Sequence, residues 1–386
     1  MDRVILHADL NGFFASVECA LNAKLAYKPV AVCGDPNKRH GIVLAKNELA
    51  KDFGVKTAET IWQAKRKCPK LVFVPPRYEE YRKFSAKFRE ICLSFTDLVE
   101  PFGIDECWMD VTGSAKLFGD GPQIADTLRA AIQEKLKITA SVGVSFSKAF
   151  AKLGSDYKKP NATTVINREN WRKIVCPLPV GRLMFVGGKT SKTLSEMRIN
   201  TIGELADYNR DFLERRLGKK GGQIHDYANG RDTSPVLPYT QIRQEKSIGN
   251  GVTFERDVAD FDDLRKRVMQ IAETVGLRMR TKRIKATILQ VSVKDSQFIA
   301  LQRQRKLDIP TNLTREIANI AFDIIKENWR QGKPIRTVTI TATGLMSADQ
   351  SVVQLSFLGE DAARRREERL QEVVDKVNTF STIKYL

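Results

Sequence analysis

Three carboxylates stand where predicted strands end, and their types and spacing suit metal-assisted phosphoryl transfer. Asp9 closes an apolar segment, and Asp105 and Glu106 lie near the turn of segment 98–111, which reads as two strands joined at Gly103. Adjacent residues of an extended chain point to opposite faces, so the turn is needed to bring both acids to one site. Gathered carboxylates repel each other unless cations lie between them, and two magnesium ions held by such oxygens would support an in-line phosphoryl displacement. The alternative is that these are ordinary exposed turn acids.

The elements that would position these acids form a small antiparallel sheet. With the segment 30–76 set aside, the hydrophobic pattern predicts the order β-α-β-β-α-β. Helices are predicted over residues 13–23, 78–94 and 122–137, and a last strand over 139–145. This order is the ferredoxin-like arrangement, in which two helices cover one face of the sheet. The fold alone does not define an activity.

The chain after residue 166 changes pattern twice. Short helices with glycine-containing turns at 181–189 and 217–222 are followed by segment 232–243, which holds two prolines and reads as a linker. From 244 to 348 the pattern alternates between helix and strand again. The elements predicted in this last part are strands over 285–293 and 335–343, helices over 261–281 and 314–329, and a charged amphipathic helix over 359–377.

The charge balance favours a polyanionic partner. The 386 residues include 64 Lys and Arg against 46 Asp and Glu, a formal net charge of +18, which points to nucleic acid first and to an anionic membrane second. A basic protein without such a partner is the alternative. No apolar stretch approaches the roughly 18 residues of a membrane span, so no membrane association is expected. Six cysteines without a CxxC pair argue against structural zinc and, together with a start unlike a signal peptide, predict a cytoplasmic location.

Four segments in the same order resemble the motifs of the Y family of DNA polymerases, the lesion-bypass class. Residues 9–18 (DLNGFFASVE) resemble the first motif, and residues 103–111 (GIDECWMDV) resemble the second. Residues 142–161 resemble the third motif with its closing Lys-Pro-Asn, and residues 244–253 (QEKSIGNGVT) resemble the beginning of the family's additional DNA-binding domain. The resemblance covers essentially the whole chain and rests on the order and spacing of the four segments together.

The resemblance implies an α+β multidomain fold, a right-hand polymerase with a ferredoxin-like palm, small fingers, a helical thumb and an α/β little finger. The corresponding segments are the palm at 1–29 and 77–166, the fingers at 30–76, the thumb at 167–231, the linker at 232–243, the little finger at 244–350 and a charged tail at 351–386. It also implies a monomer that binds primer-template DNA and adds deoxynucleoside triphosphates to a primer 3′-hydroxyl, with low fidelity and past lesions. No exonuclease domain fits this length, so proofreading is not expected.

The same resemblance implies the metal ligands. They are the carboxylates of Asp9, Asp105 and Glu106 and the backbone carbonyl of Leu10, holding two Mg²⁺ ions for which Mn²⁺ can substitute.

The substrate residues implied by the resemblance are Phe13, Phe14, Lys51 and Lys159. Phe14 falls at the steric gate, where a rigid ring leaves no room for a ribose 2′-hydroxyl. The alternative is that both rings belong to the helix core, although only one of two adjacent helical residues can face it fully. The family usually has Tyr and Arg three residues apart at the triphosphate, and here these places are Glu48 and Lys51. Because an ionised Glu cannot donate to phosphate and Lys is no bidentate donor, weaker triphosphate binding is expected.

Two regions are candidates for DNA binding. The segment 278–285 (RMRTKRIK) has five basic residues in eight, which suits a phosphate backbone, although charge runs are usually solvated helix faces. The turns at 181–189 and 217–222 resemble the helix-hairpin-helix turns of the family's thumb, where backbone N–H groups can hold a phosphate. The residues assigned to DNA contact are Gly187, Gly188, Lys189, Lys219, Lys220, Arg278, Arg280, Lys282, Arg283 and Lys285.

Residues 354–358 (QLSFL) resemble the peptide with which bacterial proteins bind the sliding clamp. Gln354 and the apolar residues Leu355, Phe357 and Leu358 would dock in a hydrophobic groove of the clamp. The alternative is a last strand of the little finger.

Two other classes of protein remain open. A nucleotide cyclase can also place paired acids on a ferredoxin-like sheet, and a non-catalytic DNA-binding protein would share the positive charge. The basic segment 241–350 argues against a cyclase, and three converging acids argue against a protein that only binds DNA.

Overall fold

The computed structural model describes residues 2–35, 41–241, 245–350, 364, 366–371, 373–375 and 377. The chain divides into two compact units, Met1–Ile242 and Arg243–Leu386. Within the described ranges, no helix combines the length and the apolar character needed to cross a membrane.

The first unit contains the elements predicted around the acids. In chain order these are β1 (Ile5–Leu10), α1 (Phe13–Leu21), β2 (Val30–Cys33), β3 (Val43–Lys46), α2 (Glu48–Asp52), α3 (Ile61–Lys67), β4 (Val72–Val74), α4 (Tyr78–Leu93), β5 (Val99–Pro101), β6 (Glu106–Asp110), α5 (Ala115–Phe118), α6 (Gly121–Leu136), β7 (Ala140–Ser145), α7 (Lys148–Tyr157) and β8 (Thr163–Ile166). The helices that follow are α8 (Trp171–Val175), α9 (Gly188–Glu196), α10 (Ile202–Asp207), α11 (Arg210–Leu217) and α12 (Lys219–Ala228).

The main sheet of this unit has the order β5-β6-β1-β7-β8, with β1 antiparallel to both of its neighbours. Side chains on β1 alternate between two buried faces, as strand geometry requires. Leu6 and Leu10 lie in the core shared with α4 and α6, whereas Ile5 packs on the other face beside Ala151 of α7. The order of β1, β5, β6 and β7 confirms the ferredoxin-like prediction, and β8 extends the sheet in parallel to β7.

Close packing of α7 on β7 depends on one glycine. A Cβ atom at Gly143 would lie 1.9 Å from the backbone carbonyl oxygen of Ala151. The sequence motif of residues 142–161 therefore contains a glycine for a steric reason, because only a strand without a side chain at that point admits the helix.

Two smaller groups of elements accompany the main sheet. The strands β3-β2-β4 form a second sheet that packs on α2 and α3, and the helices α8 to α12 share a separate core. Within segment 30–76 the sequence pattern predicts short strands at 30–33 and 42–46 and small helices at 46–53 and 58–68, in agreement with β2, β3, α2 and α3, but it does not predict the strand β4.

The second unit is a sheet covered on one face by two helices. Its elements are β9 (Ser247–Val258), α13 (Phe261–Thr281), β10 (Ile284–Asp295), β11 (Ala300–Thr311), α14 (Thr314–Asn328) and β12 (Ile335–Ser347). The strand order is β11-β10-β12-β9, antiparallel throughout. The two central strands and both helices were predicted, whereas the edge strands β9 and β11 were not. Each edge strand carries polar or charged residues on both faces, so the alternation that marks a half-buried strand is weak.

Candidate active site

The predicted acids meet at one end of the main sheet. Asp9 lies directly opposite Glu106 in the pairing of β1 with β6, and the backbone N–H of Leu10 donates to the carbonyl oxygen of Asp105 at 3.0 Å. The turn between β5 and β6 is closed by hydrogen bonds from the N–H groups of Phe102 and Gly103 to the carbonyl of Glu106, at 3.1 and 3.3 Å. The register thus brings the three acids to neighbouring positions.

Burial and mutual repulsion make one of these carboxylates hard to ionise. Burial raises the pKa of Asp105 to about 6, and the charges of Asp9 and Glu106 act in the same direction. Burial also raises the pKa of Asp9, against the opposing attraction of Lys159, whose Nζ lies 2.7 Å from Oδ1 of Asp9. Additional positive charge at this end of the sheet would therefore be stabilising.

Glu106 has its own positive partner. Burial alone would raise its pKa, but His7 and Lys152 outweigh burial and lower the pKa of Glu106 to about 2. Lys152 forms a salt bridge with Glu106, and Nε2 of His7 lies 3.3 Å from the same carboxylate oxygen. The ammonium groups of Lys152 and Lys159 thus lie beside Glu106 and Asp9, respectively. No group of three or more ligating side chains in the described part of the chain is already gathered to hold an ion.

His7 was not singled out by the sequence, although it lies two residues before Asp9. Its ring is fully buried, and Nδ1 lies 2.8 Å from Oγ of Ser155, whose hydroxyl donates to the carbonyl of Lys152. Burial lowers the pKa of His7. The imidazole thus connects the strand that carries Asp9 with the helix that carries Lys152.

Asn11 stands where the family often has a second Asp, and it connects the first and third motifs. Its amide nitrogen donates to Oγ of Ser141 at 3.0 Å, and its amide oxygen accepts from the hydroxyl of Thr139 at 3.1 Å and from the N–H of Asn161 at 2.9 Å. Asn11 is buried, and these contacts fit a structural role.

The two adjacent phenylalanines of α1 have different environments. Phe13 is buried in the core, whereas Phe14 is partly exposed. The ring of Phe14 stacks on Tyr81 of α4, with centroids 4.2 Å apart and planes 13° apart, and the hydroxyl of Tyr81 donates to buried Glu18 at 2.7 Å. The sequence had not identified Tyr81, which fixes the Phe14 ring from a helix more than sixty residues further along the chain.

The fingers candidate Lys51 is paired within its own helix. Its Nζ lies 2.8 Å from Oε2 of Glu48, with about half of each side chain exposed. Glu48, which stands at the family's Tyr position, therefore pairs with Lys51, the positively charged residue at the family's Arg position.

The glycine turns predicted for DNA contact each precede a helix. Gly187 precedes α9 and Gly218 precedes α12, the latter with φ of 70°. A Cβ atom placed on either glycine would meet nothing within 4 Å. Lys189, Lys219 and Lys220 are exposed beside these helix starts, so backbone N–H groups and lysines are both accessible there.

Three of the five basic residues in segment 278–285 pair with acids of their own unit. Arg280 is almost buried and lies 2.6 Å from Asp375, and Lys285 lies 2.9 Å from Glu368. Lys282 also pairs with an acid, Glu245. Arg278 donates to the carbonyl of Gly249, and the DNA contacts predicted for this segment stay predictions from the sequence.

The sheet face opposite the two helices of the second unit is a polar surface that the sequence did not reveal. In the strand pairing, one row across the sheet is Gly249, Thr341, Gln290 and Gln304, and the next is Gly251, Thr339, Ser292 and Gln302. On the two central strands these positions alternate with buried residues of the core. Hydroxyl and amide groups of this kind position a nucleic-acid backbone without reading its sequence.

Comparison with known proteins agrees with this geometry. Residues 8–156 match the model of the impB/mucB/samB family, and residues 245–357 match the model of the C-terminal domain of that family. The chain therefore belongs to the impB/mucB/samB family, and its fold is that of a Y-family DNA polymerase. A solved structure described as "Y-family DNA polymerase chimera Dbh-Dpo4(243-245)-Dbh" matches 89% of this chain and 99% of its own with a TM-score of 0.79 and 24% identity.

The individual relatives share one name. DNA polymerase IV of Acetivibrio thermocellus is 47% identical over 377 residues, which cover 98% of this chain and 94% of that protein. DNA polymerase IV 1 of Bacillus subtilis is 35% identical, with 97% of this chain and 90% of that protein covered. The predicted class, a DNA-directed DNA polymerase of the translesion type, is confirmed. The nucleotide cyclase and the non-catalytic DNA-binding protein are not supported.

Proposed function

We propose that this polymerase adds deoxynucleotides to a primer 3′-hydroxyl by two-metal phosphoryl transfer, with Asp9, Asp105 and Glu106 as its catalytic acids. The observation that carries the proposal is the pairing of Asp9 with Glu106 across β1 and β6, with Asp105 bonded to the backbone beside them. From the resemblance to the family we also propose that the polymerase acts as a monomer, with low fidelity and without proofreading. Lesion bypass and a mutator effect are proposed on the same basis. A cytoplasmic location is proposed because all six cysteines are free thiols.

The donor set fits divalent magnesium. The three side chains offer only oxygen atoms, which magnesium prefers, and the backbone carbonyl of Leu10, the residue after Asp9 on β1, is proposed as a further ligand. Burial, with the charges of Asp9 and Glu106 acting in the same direction, raises the pKa of Asp105, so a nearby cation would stabilise its ionised form. Bound Mg²⁺, or Mn²⁺ in its place, would supply charge neutralisation and stabilise the attacking and leaving oxygens of the displacement.

The lysines beside the acids have roles in the same proposal. Lys159, bonded to Asp9 and to Asp156 at 2.7 Å each, can donate instead to triphosphate oxygens once the acids have other partners. Lys152 holds Glu106 and so fixes the start of β6. Phe14 contacts the sugar and discriminates against ribose, while Phe13 supports it from the core.

Magnesium-dependent primer extension tests this function. The wild-type protein is expected to add the nucleotide complementary to each template base when Mg²⁺ is present and to stop when the metal is chelated. Extension that ignores the template, or release of a cyclic nucleotide instead, would contradict the proposal.

The exposed helix starts of α9 and α12 are proposed to contact the DNA backbone, and we expect their lysines to govern salt-dependent binding. Replacing the three lysines by Ala should lower the slope of log Kd against log salt by roughly 2 to 3, because each lost phosphate contact contributes about 0.9. Fluorescence anisotropy with a labelled primer-template measures this slope. The three substitutions are Lys189→Ala, Lys219→Ala and Lys220→Ala.

A charge-matched control separates local contact from net charge. It removes three exposed lysines elsewhere in the first unit, Lys24→Ala, Lys116→Ala and Lys135→Ala. An equal loss of slope in both triple variants would show that these helix starts are not a specific contact.

The polar sheet face of the second unit is proposed as a further DNA-contacting surface.

The pairing of Lys51 with Glu48 predicts that Glu48 weakens triphosphate binding. Glu48→Gln should free Lys51 and lower the KM for a matched deoxynucleotide about threefold, since an exposed pair of this kind is worth at most about 1 kcal/mol. Steady-state insertion kinetics measure this change. Glu134→Gln, at an exposed position on α6, is the matched control, and a KM that shifts equally in both variants or in neither would refute the interpretation.

The clamp-binding interpretation of Gln354, Leu355, Phe357 and Leu358 concerns residues outside the described part of the chain. It remains a proposal from sequence, as does the bacterial sliding clamp as a partner.

A further inference from the structure

One face of α7 carries two lysines a single helical turn apart, and each holds a different carboxylate. Lys152 forms the salt bridge with Glu106. Lys148 Nζ lies 2.6 Å from Oε2 of Glu100, and the two side chains are only 8% and 6% exposed. Burying an ion pair costs desolvation free energy, which is offset only where additional hydrogen bonds satisfy both charged groups. The groups around Lys148 and Glu100 therefore determine what this pair can do.

The groups that complete the pair come from segment 232–239, which the sequence identified as the start of a linker. Nζ of Lys148 donates to the carbonyl of Pro235 at 3.3 Å. The N–H of Leu237 donates to the same carboxylate oxygen of Glu100 at 3.0 Å. The buried cation and the buried anion therefore each bond to the backbone of this segment.

An apolar side chain lies between these two backbone bonds. Val236 is 4% exposed and packs with Ile5, Trp108 and Ala151 in a small core on the α7 face of the main sheet. The segment contains no helix or strand, as expected of a linker, yet its central residue is part of the palm interior.

Further bonds fix the segment on either side of Val236. The carboxylate of Asp232 accepts from the N–H of Ala149 at 3.1 Å, and the guanidinium of Arg3 donates to the carbonyls of Asp232 and Ser234. The N–H of Tyr239 donates to the carbonyl of Asp97 at 3.3 Å. Residues 232–239 are thus held along their length by residues of the first unit.

Aromatic contacts join this anchored segment to the catalytic strand. The Lys148 ammonium lies 4.4 Å from the ring centroid of Trp108, whose Nε1 donates to the Lys148 carbonyl at 3.0 Å. Trp108 contacts Phe102 at a centroid distance of 4.7 Å, and the Lys152 ammonium lies 5.1 Å from the Phe102 ring. A continuous set of contacts therefore runs from the linker to Glu106.

We propose that Lys148 and Glu100 are positioning residues of the polymerase reaction. Their pair fixes the path of the chain from the palm into the linker, and through Trp108, Phe102 and Lys152 it also fixes the carboxylate of Glu106. The inference rests on the proposed catalytic role of Glu106. Neither Lys148 nor Glu100 contacts that acid directly.

The test replaces the ion pair by a neutral pair of similar shape, Lys148→Met with Glu100→Gln. Such a replacement leaves no unpaired buried charge, so the fold should persist. Amide hydrogen exchange at Leu237 and Tyr239 is expected to rise at least about tenfold. The single-turnover rate of nucleotide addition is expected to fall about tenfold with an unchanged Kd for the nucleotide, because a small displacement of a catalytic group affects the chemical step.

Two further variants distinguish positioning from general stability. Ile132→Ala removes packing from a core cluster that does not include Val236, and it should lower Tm without changing the rate or the exchange at Leu237. Lys148→Arg keeps the charge and should recover most of the wild-type rate. A neutral-pair variant that reacts at the wild-type rate, or an Ile132→Ala variant with the same loss of rate, would overturn the inference. Failure of the wild-type protein to extend a primer would refute the proposed function instead, which separates the two outcomes.

Discussion

Replacing Asp105 and Glu106 together by Ala is expected to lower the rate of primer extension by about a thousandfold or more, with DNA affinity close to that of the wild type. The reason is that both side chains are proposed metal ligands, and electrostatic stabilisation of the transferring phosphoryl group is the main source of catalysis in such sites. Neither residue belongs to the proposed DNA contacts. Single-turnover extension and anisotropy titration on the same primer-template measure the two properties.

Asp110 provides the matched control on the same strand. Asp110 is the last residue of β6, whereas Glu106 is the first. The carboxylate of Asp110 accepts hydrogen bonds from the hydroxyl and the N–H of Thr112. Asp110→Asn should therefore extend primers at nearly the wild-type rate. Extension by the Asp105→Ala, Glu106→Ala variant within tenfold of the wild type would exclude these acids as the catalytic ligands.

Replacing Phe14 by Val is expected to reduce discrimination between a deoxynucleotide and the matching ribonucleotide by about a hundredfold, the range over which pocket size sets specificity. The ring of Phe14 stacks on Tyr81 with the centroids 4.2 Å apart, and this contact opposes rotation of the ring away from a 2′-hydroxyl. A smaller side chain removes this contact. The ratio of insertion efficiencies for dCTP and CTP opposite a template guanine reports the change.

The neighbouring phenylalanine is the control for this prediction. Phe13 is buried in the palm core, so Phe13→Leu should lower Tm while leaving sugar discrimination nearly unchanged. If Phe14→Val keeps the wild-type ratio, or if Phe13→Leu relaxes it equally, Phe14 is not the steric gate.

The palm could be predicted from the sequence because its signals are local. Apolar strands, amphipathic helices and a turn at Gly103 are each visible within a short window, and together they define the ferredoxin-like order around Asp9, Asp105 and Glu106. The central strands and the helices of the second unit follow from the same kind of pattern.

What the sequence could not provide depends on contacts between distant residues. Tyr81 stacks on Phe14, and Lys152 holds Glu106, across separations that no local pattern encodes. The pairing of Arg280 with Asp375 likewise joins residues 95 positions apart in the sequence.

The polar face of the second unit was missed for a related reason. Its rows of threonine and glutamine side chains exist only once four strands pair in register, and the edge strands β9 and β11 lack a clear alternation. The anchored linker segment was missed because its bonds are to Lys148 and Glu100, which belong to the palm.

Asp9, Asp105 and Glu106 are proposed to hold the ions that support nucleotide transfer. Titration of Mn²⁺ followed by electron paramagnetic resonance tests this assignment most directly, on the protein bound to a dideoxy-terminated primer-template and the matching nucleotide. The wild-type protein is predicted to hold two ions in this complex, and the Asp105→Ala, Glu106→Ala variant fewer, with the DNA still bound. Equal numbers of bound ions in the two proteins would contradict the assignment.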